Sequence, residues 1–180
     1  MHKENRTPLQ EILSAYRSSS KTEREKGTYF EKLIITFFKY EAKYKALYSD
    51  VWTYTEWAKL QGVNGKDTGI DLVAKTKGTD EYHAIQCKSY AEGAVIYKRD
   101  IDSFFTASGK KSFSHRLIVT TTNNWSENAL EALEDQRPPV SKIDLKALEE
   151  SQIDWSKYKP TVTTSGDLWG HEYNFPDADA

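Results

Sequence analysis

The sequence predicts an α/β protein in which a mixed β-sheet of about five strands is flanked by helices. The main observation is the order of the predicted elements: after an N-terminal extension come a helix, three strands, a helix, a strand, a helix and a strand. A mixed sheet covered by helices is the economical solution for such an order. The length of 180 residues and the hydrophobic fraction of 38% suit one core, so we expect one domain with appendages.

Two helix starts are visible near the N-terminus. Thr7 with Gln10, and then Thr22 with Glu25, have the spacing of a capping box, in which each end of the tetrapeptide satisfies a backbone donor of the other. The second helix carries an apolar stripe at helical spacing, formed by Phe30, Leu33, Ile34, Phe37 and Phe38. Glu31 lies beside this stripe, near its edge.

Three strands follow. Residues 51–55 are all β-branched or aromatic, and after a loop at 61–67 the segments 69–74 and 82–89 read as the second and third strands. Turn residues at 77–80 predict that these two strands form an antiparallel hairpin. Because side chains alternate along a strand, Gln86 and Lys88 should point to one face and Cys87 to the other.

The rest of the chain divides at about residue 150. Residues 97–108 predict a helix, 116–122 a fourth strand, Ser126 the start of another helix, and 140–145 a fifth strand. Beyond this point large aromatic residues occur without helical or strand periodicity. They are Trp155, Tyr158, Trp169, Tyr173 and Phe175. We expect this tail either to wrap its own domain or to dock on a neighbour outside the chain.

Composition excludes several classes of protein. A formal net charge of -2 gives no overall cationic field, so intrinsic DNA binding should be weak and local. The single cysteine, Cys87, forms no intrachain disulfide, which favours a reducing cytoplasm. No apolar run is long enough to cross a bilayer, so we expect a cytoplasmic protein that is neither exported nor membrane-embedded.

The candidate site consists of Asp71, Gln86 and Lys88 on neighbouring strands. Phosphodiester hydrolysis needs a divalent cation on the phosphate, an oriented water and positive charge for the transition state. Asp71 and the amide oxygen of Gln86 suit a metal ion such as Mg²⁺, with Mn²⁺ as a substitute, and Lys88 suits the water or the developing charge. The backbone carbonyl of Cys87 is a candidate further ligand.

Glu31 and Asp67 are the acids available to supplement the site. We expect Cys87 to be a small buried packing residue opposite the active face and not a nucleophile, because no histidine is placed to activate it. A zinc site is disfavoured, because the four histidines are scattered singly and there is no second cysteine. No phosphate-binding loop has the required glycine spacing, so ATP binding is not expected.

Two segments, KDTGID at residues 66–71 and AIQCK at 84–88, resemble the catalytic core of the Mrr-like branch of the PD-(D/E)xK restriction-endonuclease superfamily. In that branch glutamine replaces the second acid. The likeness extends to GTYFE at 27–31 and LIVTT at 117–121, and covers about two thirds of the chain. No proline precedes Asp71, which departs from the superfamily pattern. The segments KIDL and IDW after residue 141 are similar to the passage out of the nuclease domain in single-polypeptide Type ISP restriction-modification enzymes.

The resemblance implies a restriction-endonuclease-like fold and a metal-dependent endonuclease domain acting on duplex DNA. It implies Asp71, Gln86 and Lys88 as the catalytic triad, Glu31 as a further catalytic residue and Asp67 as an auxiliary acid. The domains would be a helical extension at 1–20, the nuclease domain at 21–150, and a tail or linker at 151–180. That tail would lead towards covalently linked helicase-like ATPase and methyltransferase domains, which would leave the nuclease itself without sequence specificity.

Alternatives remain open at this point. The same fold can serve as a catalytically inactive nucleic-acid-binding or protein-interaction module, and a nuclease acting on RNA would differ only in substrate. Glu31 also suits a solvated helix surface, and Lys110 and Lys111 suit either solvation or the DNA backbone. One site cuts one strand at a time, so double-strand cleavage would favour dimerisation on DNA.

Overall fold

A computed structural model describes residues 5–66, 69–109 and 112–174. In chain order its elements are α1 (Pro8–Ser19), α2 (Glu23–Tyr40), α3 (Ala42–Leu47), β1 (Tyr48–Thr53), α4 (Tyr54–Gln61), β2 (Leu72–Thr76), β3 (Tyr82–Lys88), β4 (Val95–Ile96), α5 (Lys98–Gly109), β5 (His115–Thr120), β6 (Asn124–Trp125), α6 (Glu127–Ala132), β7 (Val140–Ile143), α7 (Leu145–Glu149), a 3-10 helix (Trp155–Lys157), β8 (Tyr158–Val162) and β9 (Leu168–Tyr173). None of the described helices combines the length and the apolar character needed to cross a membrane.

The central sheet has five strands in the order β1-β2-β3-β5-β7, which confirms the predicted mixed sheet. Strands β1, β2 and β3 pair antiparallel, and β5 and β7 run parallel to β3. The start of β2 and the last residues of β3, β5 and β7 therefore lie at the same end of the sheet. We call this the site end.

Helices cover both faces of the sheet. Leu72 and Ile85 belong to a buried cluster with the apolar stripe of α2 and with residues of α1. Val73 and Ala84, next to them in sequence, belong to a second cluster that includes residues of α4, α5 and α6. Alternation along β2 and β3 thus separates the two cores, as the pattern predicts.

The predicted helix starts are present, but three short helices, α3, α4 and α7, were not predicted. Thr7 and Gln10 form the full capping box of α1, and the Thr22 hydroxyl accepts from the backbone N–H of Glu25 at the start of α2. The first strand ends at Thr53 instead of 55, because Thr53 and Glu56 form a capping box that begins α4. The second strand likewise begins at Leu72 and not at 69.

The aromatic tail folds back on its own domain between residues 155 and 173. Strands β8 and β9 form an antiparallel hairpin with a register shift near Thr161, which explains why no strand period is visible in the sequence. The His171 ring stacks on Tyr158 and meets Tyr16 of α1 edge-on, and the Tyr29 hydroxyl donates to the carbonyl of Leu168 at 2.6 Å. Phe175 lies outside the described residues.

Candidate active site

Asp71 is held by backbone hydrogen bonds on both sides, immediately before β2. Its N–H donates to the carbonyl of Ile85 at 3.0 Å, and its own carbonyl accepts from the N–H of Tyr54 at 2.9 Å. One bond belongs to the pairing with β3, and the other ties the residue to the first turn of α4. The Asp71 carboxylate is therefore fixed at the site end of the sheet.

Two partners contact the Asp71 carboxylate directly. The backbone N–H of Cys87 donates to its Oδ2 at 2.8 Å. The Glu31 side chain, which α2 presents from one face of the sheet, forms a hydrogen bond with it. The structure thus joins an acid from a helix with an acid that immediately precedes a strand, although the sequence alone also allowed Glu31 to lie at the solvated surface.

The carboxyl pair carries less negative charge than two free acids would. Burial, followed by the charge of Asp71, raises the pKa of Glu31. Burial also raises the pKa of Asp71, but the Cys87 N–H, the charge of Lys88 and the hydrogen bond from Glu31 all oppose that rise. We therefore place the shared proton on Glu31, which donates to an ionised Asp71.

Lys88 ends β3 at the same end of the sheet. Its ammonium is close enough to Asp71 to lower the pKa of that carboxyl. The side chain is half-buried and forms no ion pair among the described residues. Lys88 is therefore free to interact with a bound anion beside Asp71.

Gln86 is buried, with 4% of its surface exposed. Its Nε2 donates to the carbonyl of Gly69 at 3.5 Å, which is a long and weak hydrogen bond. Its Oε1 has no hydrogen-bond partner among the described residues, and no hydrogen bond joins Gln86 to Asp71 or Glu31. A buried acceptor without a donor costs about 1–3 kcal/mol, so this oxygen is suited to receive a ligand.

Gly69 is a site residue that the sequence analysis missed. Besides accepting from Gln86, it packs so closely on α5 that an added Cβ would lie 2.7 Å from the carbonyl oxygen of Ser103. This contact sets the distance between the segment leading to Asp71 and the helix on the other face of the sheet. The only sign of this contact in the sequence is that a glycine stands two positions before Asp71.

Cys87 contributes its backbone, not a reactive thiol. Burial, together with the charges of Asp71 and Glu31, raises the pKa of the thiol well above its usual value. A protonated thiol is a poor nucleophile, so the predicted role of a small packing residue fits the surroundings of this side chain.

Three candidate residues, Asp67, Lys110 and Lys111, lie outside the described residues. Within the described ranges, no group of three or more His, Cys, Asp or Glu side chains is arranged to hold a metal ion. The donors at the site end are two carboxylates, one buried amide oxygen and backbone carbonyls. Hard cations such as Mg²⁺ prefer such oxygen ligands, and a cation would offset the repulsion between the two acids, so the donor set fits one.

Comparisons with known proteins point to one kind of domain. A family model described as "Restriction endonuclease" matches residues 39–165. Among solved structures, the chain is similar to the ATP-dependent Type ISP restriction-modification enzyme LlaBIII bound to DNA, with 30% identity and a TM-score of 0.65. The match covers 96% of this chain and 10% of that enzyme. No curated protein was found to match in sequence.

Proposed function

We infer the function from one premise: this chain belongs to the restriction endonuclease family. We propose that it is a Mg²⁺-dependent endonuclease domain that hydrolyses phosphodiester bonds of duplex DNA. The observation that carries the proposal is the half-buried contact between Asp71 and Glu31 with Lys88 beside it. Two acids in contact do not help a protein to pack. Together they can hold a cation against a phosphate.

Asp71, Glu31 and the amide oxygen of Gln86 would hold the cation. The Cys87 carbonyl is a further candidate, because a residue's N–H and C=O point to the same side of a strand and the Cys87 N–H already faces Asp71. The bound cation would neutralise the phosphate and stabilise the charge that develops during hydrolysis. Mn²⁺, which has a similar preference for oxygen ligands, should substitute.

Three further groups of the chain would take part in the reaction: the Cys87 N–H, Glu31 and Lys88. The Cys87 N–H fixes the orientation of the Asp71 carboxylate, and Glu31 holds a proton that must leave before both acids can act as ligands. Cation binding should therefore strengthen as the pH rises. Lys88 would orient the attacking water or balance the charge of the pentacovalent phosphorus, while the bond from phosphorus to the leaving oxygen breaks.

Sequence specificity would reside outside this chain. The similar enzyme is far longer, and its name combines ATP dependence, restriction and modification. By analogy, we propose that linked helicase-like and methyltransferase domains deliver DNA to this nuclease and that two copies meet on DNA for double-strand cleavage. A tethered nuclease obtains its substrate by effective concentration, so a near-neutral charge is no obstacle.

Plasmid cleavage by the intact protein tests the proposal. Asp71→Asn and Lys88→Ala should each slow cleavage at least about a hundredfold, because each removes a group that acts on the reacting phosphate. Asp50→Asn is the matched control for Asp71→Asn. Because Asp50 is exposed on β1, this variant should cleave DNA as the wild type does. Full cleavage by both site variants would exclude the assignment.

Calorimetry separates this function from a binding module on the same fold. With DNA present, Mg²⁺ should bind to the wild type and lose affinity in Asp71→Asn. If DNA binds but no cation does, the chain is an interaction module. Parallel RNA and DNA substrates decide between the two nucleic acids.

A further inference from the structure

Two arginines line a recess beside the candidate active site. Arg6 precedes α1 and folds back along it, so that its Nη1 donates to the Ser14 hydroxyl at 2.7 Å. Arg17, near the other end of α1, directs its Nε to the carbonyl of Tyr90 at 3.2 Å. The recess between them is also lined by Gln10, Leu13, Glu92, Thr121 and Leu145. Arg17 of α1 and Arg6 of the segment before it thus share one opening.

The recess is joined to the site end of the sheet through short backbone links. The N–H of Thr121 donates to the carbonyl of Lys88 at 3.1 Å, and the Thr121 hydroxyl accepts from the N–H of Tyr90 at 2.8 Å. Tyr90, which Arg17 contacts, follows Lys88 by two residues. The recess therefore borders the chain segment that follows Lys88, at the site end of the sheet.

The charges in the recess are not balanced. Glu92 is the one acid that lines it, against two guanidiniums, and neither arginine forms an ion pair within the described ranges. Burial lowers the pKa of Arg17 from its usual value, the charge of Glu92 opposes this change, and the charge of Arg6 adds a smaller lowering. Two like charges held together in this way favour an anion as ligand.

The size of the recess limits where that anion can lie. Its enclosed volume is about 20 Å³, which is the room of about one water molecule. A phosphate group therefore has to remain at the mouth. There the Nε of Arg17 donates to the carbonyl of Tyr90, and its two terminal nitrogens make no hydrogen bond to the described part of the protein. A guanidinium bound in this way can still offer its fork to a backbone phosphate.

We propose that Arg6 and Arg17 form a binding site for a backbone phosphate of the substrate, adjacent to the phosphate that is cut. The site would position the strand relative to Asp71 and Lys88 and would read no sequence. This inference rests on the proposed function for the identity of the substrate. It adds an anchor supplied by the N-terminal helix, outside the segments that carry the catalytic groups.

A different reading is that Arg17 only anchors the segment after β3. That reading assigns nothing to Arg6, whose contact with the described protein is a solvent-exposed hydrogen bond to the Ser14 hydroxyl. It also predicts that Glu92 has no effect on DNA binding, whereas a phosphate site is weakened by this acid. Arg6 and Glu92 therefore discriminate between the two readings better than Arg17 does.

The test measures binding of a short DNA duplex by fluorescence anisotropy, between 50 and 200 mM salt. The intact protein carries Asp71→Asn so that the probe is not cut. Each phosphate contact contributes about 0.9 to the slope of log affinity against log salt. Arg6→Gln should lower the slope by about that amount, and Arg17→Gln likewise, while Arg17→Lys should largely retain it.

Matched variants make the result specific. Arg137→Gln removes the same charge from an exposed position beside the start of β7, at the opposite end of the sheet, and should leave the slope unchanged. Glu92→Gln should tighten binding about threefold or more, as expected from removal of one repulsive charge. If Arg6→Gln binds DNA as Arg137→Gln does at all salt concentrations, the site does not exist.

The outcome is independent of whether the chain cuts DNA. Failure of wild-type plasmid cleavage would remove the proposed function while an Arg6-dependent slope still established the phosphate site. Conversely, normal cleavage with an unchanged slope in Arg6→Gln would leave the function and remove this site. Thermal unfolding of Arg17→Gln shows whether this variant binds DNA less tightly because it is unfolded. If it is unfolded, the salt slope of Arg6→Gln alone decides whether the phosphate site exists.

Discussion

Replacing Gly69 by alanine should destabilise the protein by steric overlap with α5. The new Cβ would lie 2.6 Å from the Ala107 Cβ and 2.7 Å from the Ser103 carbonyl oxygen. Carbon atoms do not approach so closely, and the oxygen belongs to helix backbone, so α5 or the segment leading to Asp71 has to move. Overpacking of this kind costs about 1–3 kcal/mol.

A matched substitution should act in the opposite direction. Gly27 lies inside α2, and a Cβ added there meets nothing within 4 Å. Gly27→Ala should therefore stabilise the protein by about 0.5–1 kcal/mol, because alanine loses less chain entropy on helix formation. The two variants differ from the wild type by the same methyl group and differ from each other only in what surrounds it.

Thermal unfolding distinguishes the two effects. At about 2–4 °C per kcal/mol for a chain of this size, Gly69→Ala should lower Tm by about 2–12 °C and Gly27→Ala should raise it by about 1–4 °C. At temperatures where it is fully folded, Gly69→Ala should also cleave DNA more slowly than Gly27→Ala, since the displaced segment carries Asp71. An unchanged or raised Tm in Gly69→Ala would refute the close packing of this segment on α5.

Three further predictions concern stability and can be measured by urea unfolding. Burial lowers the pKa of His83 to about 4, so the native state keeps it neutral while the unfolded chain binds a proton below about pH 6.5. Up to about 3 kcal/mol of stability should therefore be lost between pH 6.5 and 4, and His83→Asn should lack this component of the pH dependence. Trp155→Ala should cost about 3–5 kcal/mol because the ring is 5% exposed, whereas Trp169→Ala, at 60% exposed, should cost below about 1 kcal/mol; equal losses would contradict the packing of the aromatic tail. Arg116→Lys should cost about 2–4 kcal/mol, because one buried guanidinium donates to four acceptors that an ammonium cannot reach together, and an unchanged stability would contradict that network.

Patterns confined to a few neighbouring residues predicted much of the fold. The capping box at Thr7 and the alternation in β3 depend on local geometry, so they can be read without knowing the rest of the structure. The missed helix α4 carries the same kind of signal, a capping box from Thr53 to Glu56, but it directly follows a β-branched run that favours a strand. There the competition between two local patterns, not an absence of signal, caused the error.

Features that depend on distant contacts were not predictable. Glu31 has the pattern of an edge residue on a helix, and only the packing of α2 over β3 brings it to Asp71. The tight approach of Gly69 to α5 joins segments more than 30 residues apart, and the β8–β9 hairpin hides its period behind a register shift. Each of these three features depends on which surfaces of distant segments pack together. The spacing of residues along the sequence contains no direct information on such packing.

The hairpin of β8 and β9 also determines how the domain would respond to a mechanical pull. Its open end is the pair Tyr158 and Tyr173, so tension applied just after Tyr173 would separate the two strands one residue pair at a time. Strands β3 and β5, in contrast, are parallel neighbours inside a five-stranded sheet, and pulling them apart requires many hydrogen bonds to break together. Under load, the hairpin should peel from α1 and α2 and lengthen the chain while the sheet that carries Asp71 and Lys88 remains intact.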